Sequence, residues 1–355
     1  MTPHFSDGIN HMTKSQRNTC FLFPGQGSQQ VGMAKGLYGQ WDWFRHEMAT
    51  LFSLCPYEDM APLNDVMLGL NGRGDLLMDT QYTQPILYAL EVVLARMWAR
   101  WGIKPDMVIG HSLGELAAAA VAGVFSDEDG MRIAFIRGRL MQKLNLRGKY
   151  AAVFGESSEV IEIVAPHHPD VVIAGSNAPE ITVVSGQEGP VMAVLEACKE
   201  LGIKYRLMNV SLPFHSPWMQ PMIRDFERAL EAFSFNTPKI SWLSTMSGLC
   251  LRETDNAGID YWKAQITEPV RFWAAMYAAG GDGENLFLEV GSGRTLVNMA
   301  QQAIGEGDHI WLTTLNPKED DFDAVKHTAN ALFTEGFDID LTAVEHDLGP
   351  MMAPC

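Results

Sequence analysis

The sequence predicts an α/β protein whose large domain is interrupted by a small βαββαβ insert. Three observations lead there. Short apolar runs end in glycine-rich turns that open helices. Between residues 148 and 210 the pattern changes to the strand and helix order of a ferredoxin-like unit. The large-domain pattern then resumes near Ser211. The resulting organisation is a leader (1–18), a large domain in two parts (19–147 and 211–344), the insert (148–210) and a mostly irregular tail (345–355).

Cys20-Phe-Leu-Phe23 reads as a buried strand, stopped by Pro24-Gly25-Gln26-Gly27. Residues 84–102 carry apolar side chains at helical spacing and end at a glycine. Met107-Val-Ile109 is a second strand. It runs into Gly110-His111-Ser112-Leu113-Gly114, and the alanine-rich stretch from Glu115 to Ala122 starts a strong helix. In the insert, Lys149–Phe154 predicts a strand and Glu159–Ala165 a helix. Val171–Ala174 and Ile181–Ser185 predict two strands joined by a turn at Asn177-Ala-Pro179. Pro190–Leu201 predicts a helix and Lys204–Val210 a strand.

The 355 residues suffice for about two structural units and a sizeable core. Hydrophobic residues at 47% and charged residues at 19% describe a globular chain. No apolar run reaches the roughly 18 residues of a membrane span, and the polar start lacks a signal core. The five cysteines, Cys20, Cys55, Cys198, Cys250 and Cys355, are scattered without a CxxC pair. That argues for a reducing compartment, here the cytoplasm, and against a disulfide scaffold or a metal site. The net charge of −17 disfavours nucleic acid as a partner. An acidic protein partner would need a local basic patch, for which the Arg132–Arg137–Arg139–Lys143 stretch and Lys204–Arg206 are candidates.

Gly110-His-Ser-Leu-Gly114 matches G-x-S-x-G, a turn that carries a nucleophilic serine between strand and helix. The turn is so sharp that side chains at its flanks would clash. Ser112 then sits in a strained conformation with its hydroxyl exposed, at a helix N-terminus that favours negative charge. The Leu113 N–H is placed to stabilise an oxyanion. His111 points away from its neighbour and is a poor candidate for the base. A serine hydroxyl needs a base. Of the ten histidines, His4, His11 and His46 lie in the leader or an early polar helix. His167 and His168 form an exposed pair, and His309, His327 and His346 lie in polar surroundings. His215 stands out, in the proline-pinned Ser211-Leu-Pro-Phe-His-Ser-Pro217 directly after the insert.

Together these residues resemble the malonyl-CoA:acyl carrier protein transacylase family and the acyltransferase domains of polyketide synthases, over roughly residues 19–340. The motifs fall in order: Phe23-Pro-Gly-Gln-Gly-Ser-Gln29, Tyr82-Thr-Gln-Pro85, Gly110-His-Ser-Leu-Gly-Glu115, Arg137-Gly-Arg-Leu-Met-Gln142, Asn177-Ala-Pro179, Phe214-His-Ser-Pro217 and Glu289-Val-Gly-Ser-Gly293. The resemblance implies an α/β-hydrolase-like large domain with a parallel sheet and a ferredoxin-like insert. It implies that Ser112 carries the acyl group and that His215 is its base, oriented by the main-chain carbonyl of Gln265. The N–H groups of Gln26 and Leu113 would form the oxyanion hole. Arg137 would hold the free carboxylate of a malonyl-type group, a task that suits a guanidinium. Gln84, Asn177 and His111 would line the pocket. Phe214 before the histidine would crowd an α-methyl group and so favour malonyl.

The implied function is transfer of malonyl from coenzyme A to the phosphopantetheine of an acyl carrier protein. With no ketosynthase or carrier segment in it, the chain reads as a discrete monomer acting in trans, an excised domain being the alternative, and it carries no cofactor or metal motif. Leu212-Pro213 departs from the polyketide pattern and leaves open an unusual extender such as aminomalonyl or hydroxymalonyl. A same-fold hydrolase that clears acyl carrier proteins shares the nucleophile and base, and a non-catalytic docking module is the remaining alternative.

Overall fold

A computed structural model of the chain describes residues 17–351 apart from 57, 58, 145, 209, 211, 281 and 282. Most of the predicted leader, Ser211, and Cys355 with the last residues of the tail therefore lie outside the described residues.

The first part of the chain runs β1 (Asn18–Phe23), α1 (Lys35–Gln40), α2 (Asp42–Phe52), α3 (Leu63–Leu68), α4 (Thr80–Arg100), β2 (Met107–Gly110), α5 (Gly114–Val121) and α6 (Asp127–Lys143). The insert is β3 (Gly148–Phe154), α7 (Ser157–Val164), β4 (Val171–Ala178), β5 (Ile181–Gln187), α8 (Glu188–Glu200) and β6 (Lys204–Leu207). The last part is α9 (Ile223–Leu230), β7 (Ser241–Leu243), β8 (Cys250–Leu251), α10 (Ile259–Thr267), α11 (Phe272–Gly280), β9 (Asn285–Ser292), α12 (Thr295–Ile304), β10 (Ile310–Leu315), α13 (Asp321–Thr334) and α14 (Leu341–Leu348).

The large sheet has the order β10-β9-β1-β2-β7-β8, parallel except for the edge strand β8. A parallel sheet needs helices on both faces, so its central strands are mostly apolar on both sides. β9 is buried along its whole length. Alternate residues serve opposite faces: Phe21, Phe23 and Val108 join one core, Cys20, Leu22 and Ile109 the other. The second sheet has the order β4-β5-β3-β6, all antiparallel. Numbered within the insert that is 2-3-1-4, the ferredoxin-like arrangement. Helices α7 and α8 cover one face, closing a small separate core with Ala151, Val153 and Val184.

Several boundaries differ from the sequence expectation. The turn between β4 and β5 is at Pro179-Glu180, because Asn177 and Ala178 still belong to β4. β6 ends at Leu207 rather than Val210. The tail is less irregular than expected, since α14 extends through residue 348 with Asp340 capping its start. His309 has a mixed environment: its ring packs edge-on against Phe287 and Trp311, while the Asn285 N–H donates to its Nδ1 at 3.2 Å. Cys20, Cys55 and Cys198 are buried free thiols, and Cys250 is half-buried. No helix among the described residues is long and apolar enough to cross a membrane.

Candidate active site

β1 and β2 are neighbours at the centre of the sheet, so the turns that leave their carboxyl ends are adjacent. The turn after β2 carries Ser112 at φ 54°, a left-handed conformation that an L-residue adopts only under constraint. Two glycines supply the constraint. A Cβ at Gly110 would lie 2.2 Å from the backbone of Gly114 and Glu115, and one at Gly114 would lie 2.1 Å from the Phe23 carbonyl oxygen. Only hydrogen fits at either position, and the serine between them is forced outward.

His215 reaches the serine from far along the chain. Its Nε2 lies 2.6 Å from Ser112 Oγ. Its Nδ1 donates to a main-chain carbonyl at 3.0 Å, and that carbonyl belongs to Glu268. The expectation that Gln265 supplies it is therefore corrected. The Gln265 carbonyl lies close enough to add a secondary pull. The reason is Pro269. Proline has no amide to bond the Gln265 carbonyl within α10, and it forces Glu268 into an extended conformation (ψ 152°) that turns the Glu268 carbonyl away from the helix. His215 also has a left-handed backbone, φ 53°. With Nδ1 holding the proton, Nε2 is the free base facing the hydroxyl. Burial, then the Arg137 cation, then His111 push the imidazole pKa down to about 3.

The amides of Gln26 and Leu113 donate no hydrogen bond among the described residues, so two main-chain donors stand free on the adjoining turns. The Gln26 side chain is tied to Thr80 Oγ1 at 3.2 Å. Beside Gln26 opens a cavity of about 740 Å³ between the large unit and the insert, lined among others by Thr80, Gln142, Arg147, Lys149 and Leu212. Its size suits a small organic ligand. A second cavity of about 560 Å³, at the carboxyl ends of β9 and β10, holds none of the predicted site residues.

Arg137 lies on the inward face of α6, only 3% exposed. It therefore cannot belong to a basic docking patch with Arg132, Arg139 and Lys143, a correction to that expectation. Arg132 is engaged by Asp129, and Arg139 lies over the Phe135 ring. Lys204 and Arg206 remain exposed on β6. The Arg137 guanidinium makes no ion pair among the described residues. One Nη2 bond reaches Gln265 Oε1 at 3.2 Å, and Nε has no partner. Burial lowers its pKa to about 10, still a full cation at neutral pH, and the nearby Glu115 charge opposes that fall. Glu115, on the first turn of α5, is held by the amides of Thr245 (2.7 Å) and Met246 (3.3 Å) and by the Tyr261 hydroxyl (2.8 Å).

The remaining predicted residues surround this centre unevenly. His111 Nε2 donates to Asn177 Oδ1 at 2.9 Å and its ring rests on Phe272, so it turns away from Ser112 and ties the elbow to β4 of the insert. Burial lowers its pKa, partly offset by Asn177. Gln84 is buried on α4, donating to Met141 Sδ, while its Oε1 has no partner among the described residues. Phe214 is half-buried, its ring edge-on to Tyr150 of β3. Sequence reasoning missed the Glu268 carbonyl, the Glu115–Tyr261 support and the side chain of Gln265. Pro269 was the available signal for the first.

A serine held at φ 54°, an imidazole 2.6 Å from its oxygen and main-chain amides on the adjoining turn form an arrangement suited to acyl transfer. Residues 20–338 match the acyl transferase domain family, and the chain belongs to that family. It is 36% identical over 302 residues to the spectinabilin polyketide synthase system protein NorB of Streptomyces orinoci, which covers 84% of this chain and 14% of that protein. It is 36% identical over 329 residues to the mycoketide-CoA synthase of Mycobacterium tuberculosis, covering 92% of this chain and 8% of the relative. The chain thus spans a small part of the length of these relatives. Among solved structures, the acyltransferase domain from the second module of the salinomycin polyketide synthase superposes with a TM-score of 0.86 at 32% identity, covering 94% of this chain and 76% of that one. A malonyl-CoA:acyl carrier protein transacylase from Xanthomonas oryzae pv. oryzae gives 0.77 at 28% identity, covering 86% and 96%. The protein is an acyltransferase of the malonyl-CoA:acyl carrier protein transacylase and polyketide synthase type.

Proposed function

We propose that the protein transfers a malonyl-type acyl group from coenzyme A, through an ester on Ser112, to the phosphopantetheine thiol of an acyl carrier protein. The observation that carries the substrate class is Arg137, a buried guanidinium beside the Ser112–His215 pair that forms no ion pair among the described residues, Glu115 acting on it without direct contact. A buried cation left without a counter-ion is costly, and a carboxylate brought by the ligand relieves it. A neutral acyl chain offers nothing to that guanidinium.

In this reading Ser112 Oγ attacks the thioester carbonyl as His215 Nε2 takes its proton. The Glu268 carbonyl holds Nδ1–H and steadies the imidazolium that forms. The developing oxyanion faces the amides of Gln26 and Leu113; losing one such donor typically lowers the rate by about 10²–10³. His215 returns the proton to the departing thiolate of coenzyme A, leaving acyl-Ser112. The carrier thiol then enters by the same steps in reverse, with its proton going to His215 and finally to Ser112 Oγ. A carboxylate on Arg137 also cancels the cation's push on His215, so a dicarboxylic donor makes its own base stronger.

The test is the intact mass of the protein after mixing with malonyl-CoA, with and without carrier protein. Expected is a malonyl adduct on Ser112 that persists alone and is discharged by the carrier. Prompt release of free malonate indicates the hydrolase instead. Arg137→Ala is expected to reduce malonyl loading by about 10² or more, from the loss of a charge-assisted pair. Unchanged loading refutes the substrate assignment.

A further inference from the structure

The guanidinium of Arg137 is held open by a neutral neighbour, and the inference drawn here rests on the substrate reading above. Gln265, in the last turn of α10, spans the site with its side-chain amide. Its Oε1 accepts from Arg137 Nη2 at 3.2 Å and its Nε2 donates to the Ser112 carbonyl at 2.7 Å. An amide has one accepting end and one donating end. On one side stand two acceptors, the Ser112 carbonyl and the Glu115 carboxylate, which the Gln265 side chain also helps to hold. The NH₂ end must face them, so the oxygen must face Arg137.

Glu115 cannot turn aside, because Thr245 N, Met246 N and Tyr261 Oη fix it. The series Tyr261, Glu115, Gln265, Arg137 therefore ends in an uncharged oxygen on a buried cation. An uncharged acceptor positions a guanidinium without cancelling its charge. A carboxylate in that place would form a two-pronged pair and occupy the donors. We propose that Gln265 is a positioning residue whose neutral side chain, oriented by Glu115, holds Arg137 in place and leaves its charge for the acyl donor, and so sets the preference for dicarboxylic over neutral acyl groups. This role belongs to the side chain and is separable from the main-chain carbonyls near His215, which any substitution at 265 retains.

The experiment compares acyl-enzyme formation from malonyl-CoA and acetyl-CoA in the wild type, Gln265→Glu, Gln265→Met and Arg137→Ala, with thermal unfolding of each variant. The quantity read is the ratio of kcat/KM for malonyl-CoA to that for acetyl-CoA. Gln265→Glu is isosteric and is expected to lower the ratio by on the order of tenfold or more, through KM for malonyl-CoA, because the new carboxylate competes for the guanidinium. Gln265→Met keeps the length without the acceptor and is expected to lower the ratio by less. If both variants change the two donors by the same factor, Gln265 is scaffolding and the proposal is overturned. If Gln265→Glu does not fold, Gln265→Met decides alone, and an unchanged ratio overturns it. A wild type without preference for malonyl-CoA, or an Arg137→Ala variant with an unchanged ratio, instead overturns the substrate reading beneath it.

Discussion

The elbow that carries Ser112 and the loop that carries His215 solve the same problem by different means. Both hold a non-glycine residue in the left-handed region, at φ 54° and 53°, where each such residue costs about 1–2 kcal/mol. At the elbow the constraint is local and steric, set by two glycines into whose space the backbone presses. In the loop the constraint is long-range. His215 is held at Nδ1 by Glu268, 53 positions away, and its loop is closed by Ser216 Oγ donating to the Pro213 carbonyl. The nucleophile is placed by what is missing around it, the base by what has been brought to it.

Three outcomes break or sharpen that contrast. Gly114→Ala puts a methyl group 2.1 Å from the Phe23 carbonyl oxygen, where the start of α5 presses on the end of β1. It is expected to lower stability by at least about 3 kcal/mol in denaturant titration, with loss of activity. A near-normal variant means that the elbow does not depend on close approach. Next, the pH profile reads the buried base. With its pKa at about 3, His215 stays neutral well below its ordinary value of 6.5, so kcat/KM for acyl-enzyme formation is expected to show no His215 limb near pH 6.5. The sign for stability follows, because the unfolded chain binds this proton and the folded one does not. Folding stability is lost as pH falls from 6.5 towards 3, and His215→Ala should remove that part of the slope. An acid limb near 6.5 that vanishes in a Ser112-independent binding assay contradicts a dry imidazole. The smallest effect is Ser216→Ala, which deletes one buried hydrogen bond of the loop. A loss of about 1 kcal/mol and a modest fall in kcat are expected, with no change in the malonyl-to-acetyl ratio; a shifted ratio would mean that the loop also shapes the acyl pocket.

What was legible in the sequence follows the same division. The elbow could be read because steric exclusion leaves a fixed spelling, glycine on each side of Ser112. The ferredoxin-like order could be read because its strands alternate against two helices. The partner of Nδ1 could not be read with the same ease, since Gln265 and Glu268 differ only in how Pro269 bends the end of α10. Arg137 was written into two expectations, a pocket and a surface patch, and they exclude each other. The helical repeat contained the answer: Ile133, Ala134 and Met141, at three and four positions from it, are all buried. The Glu115–Gln265 arrangement left no mark, because side chains 150 positions apart meet only once the sheet has closed.

The nucleophile and its base stand on opposite sides of the insert, 103 positions apart, and β1 is flanked by β2 on one edge and by β9 on the other. A ribosome therefore releases the elbow long before the loop that arms it, and the middle of the large sheet waits for residues 285–292 to fill its open edge. The insert's separate core draws only on residues 151–205, so every residue it needs precedes both the loop of His215 and the strand at 285–292.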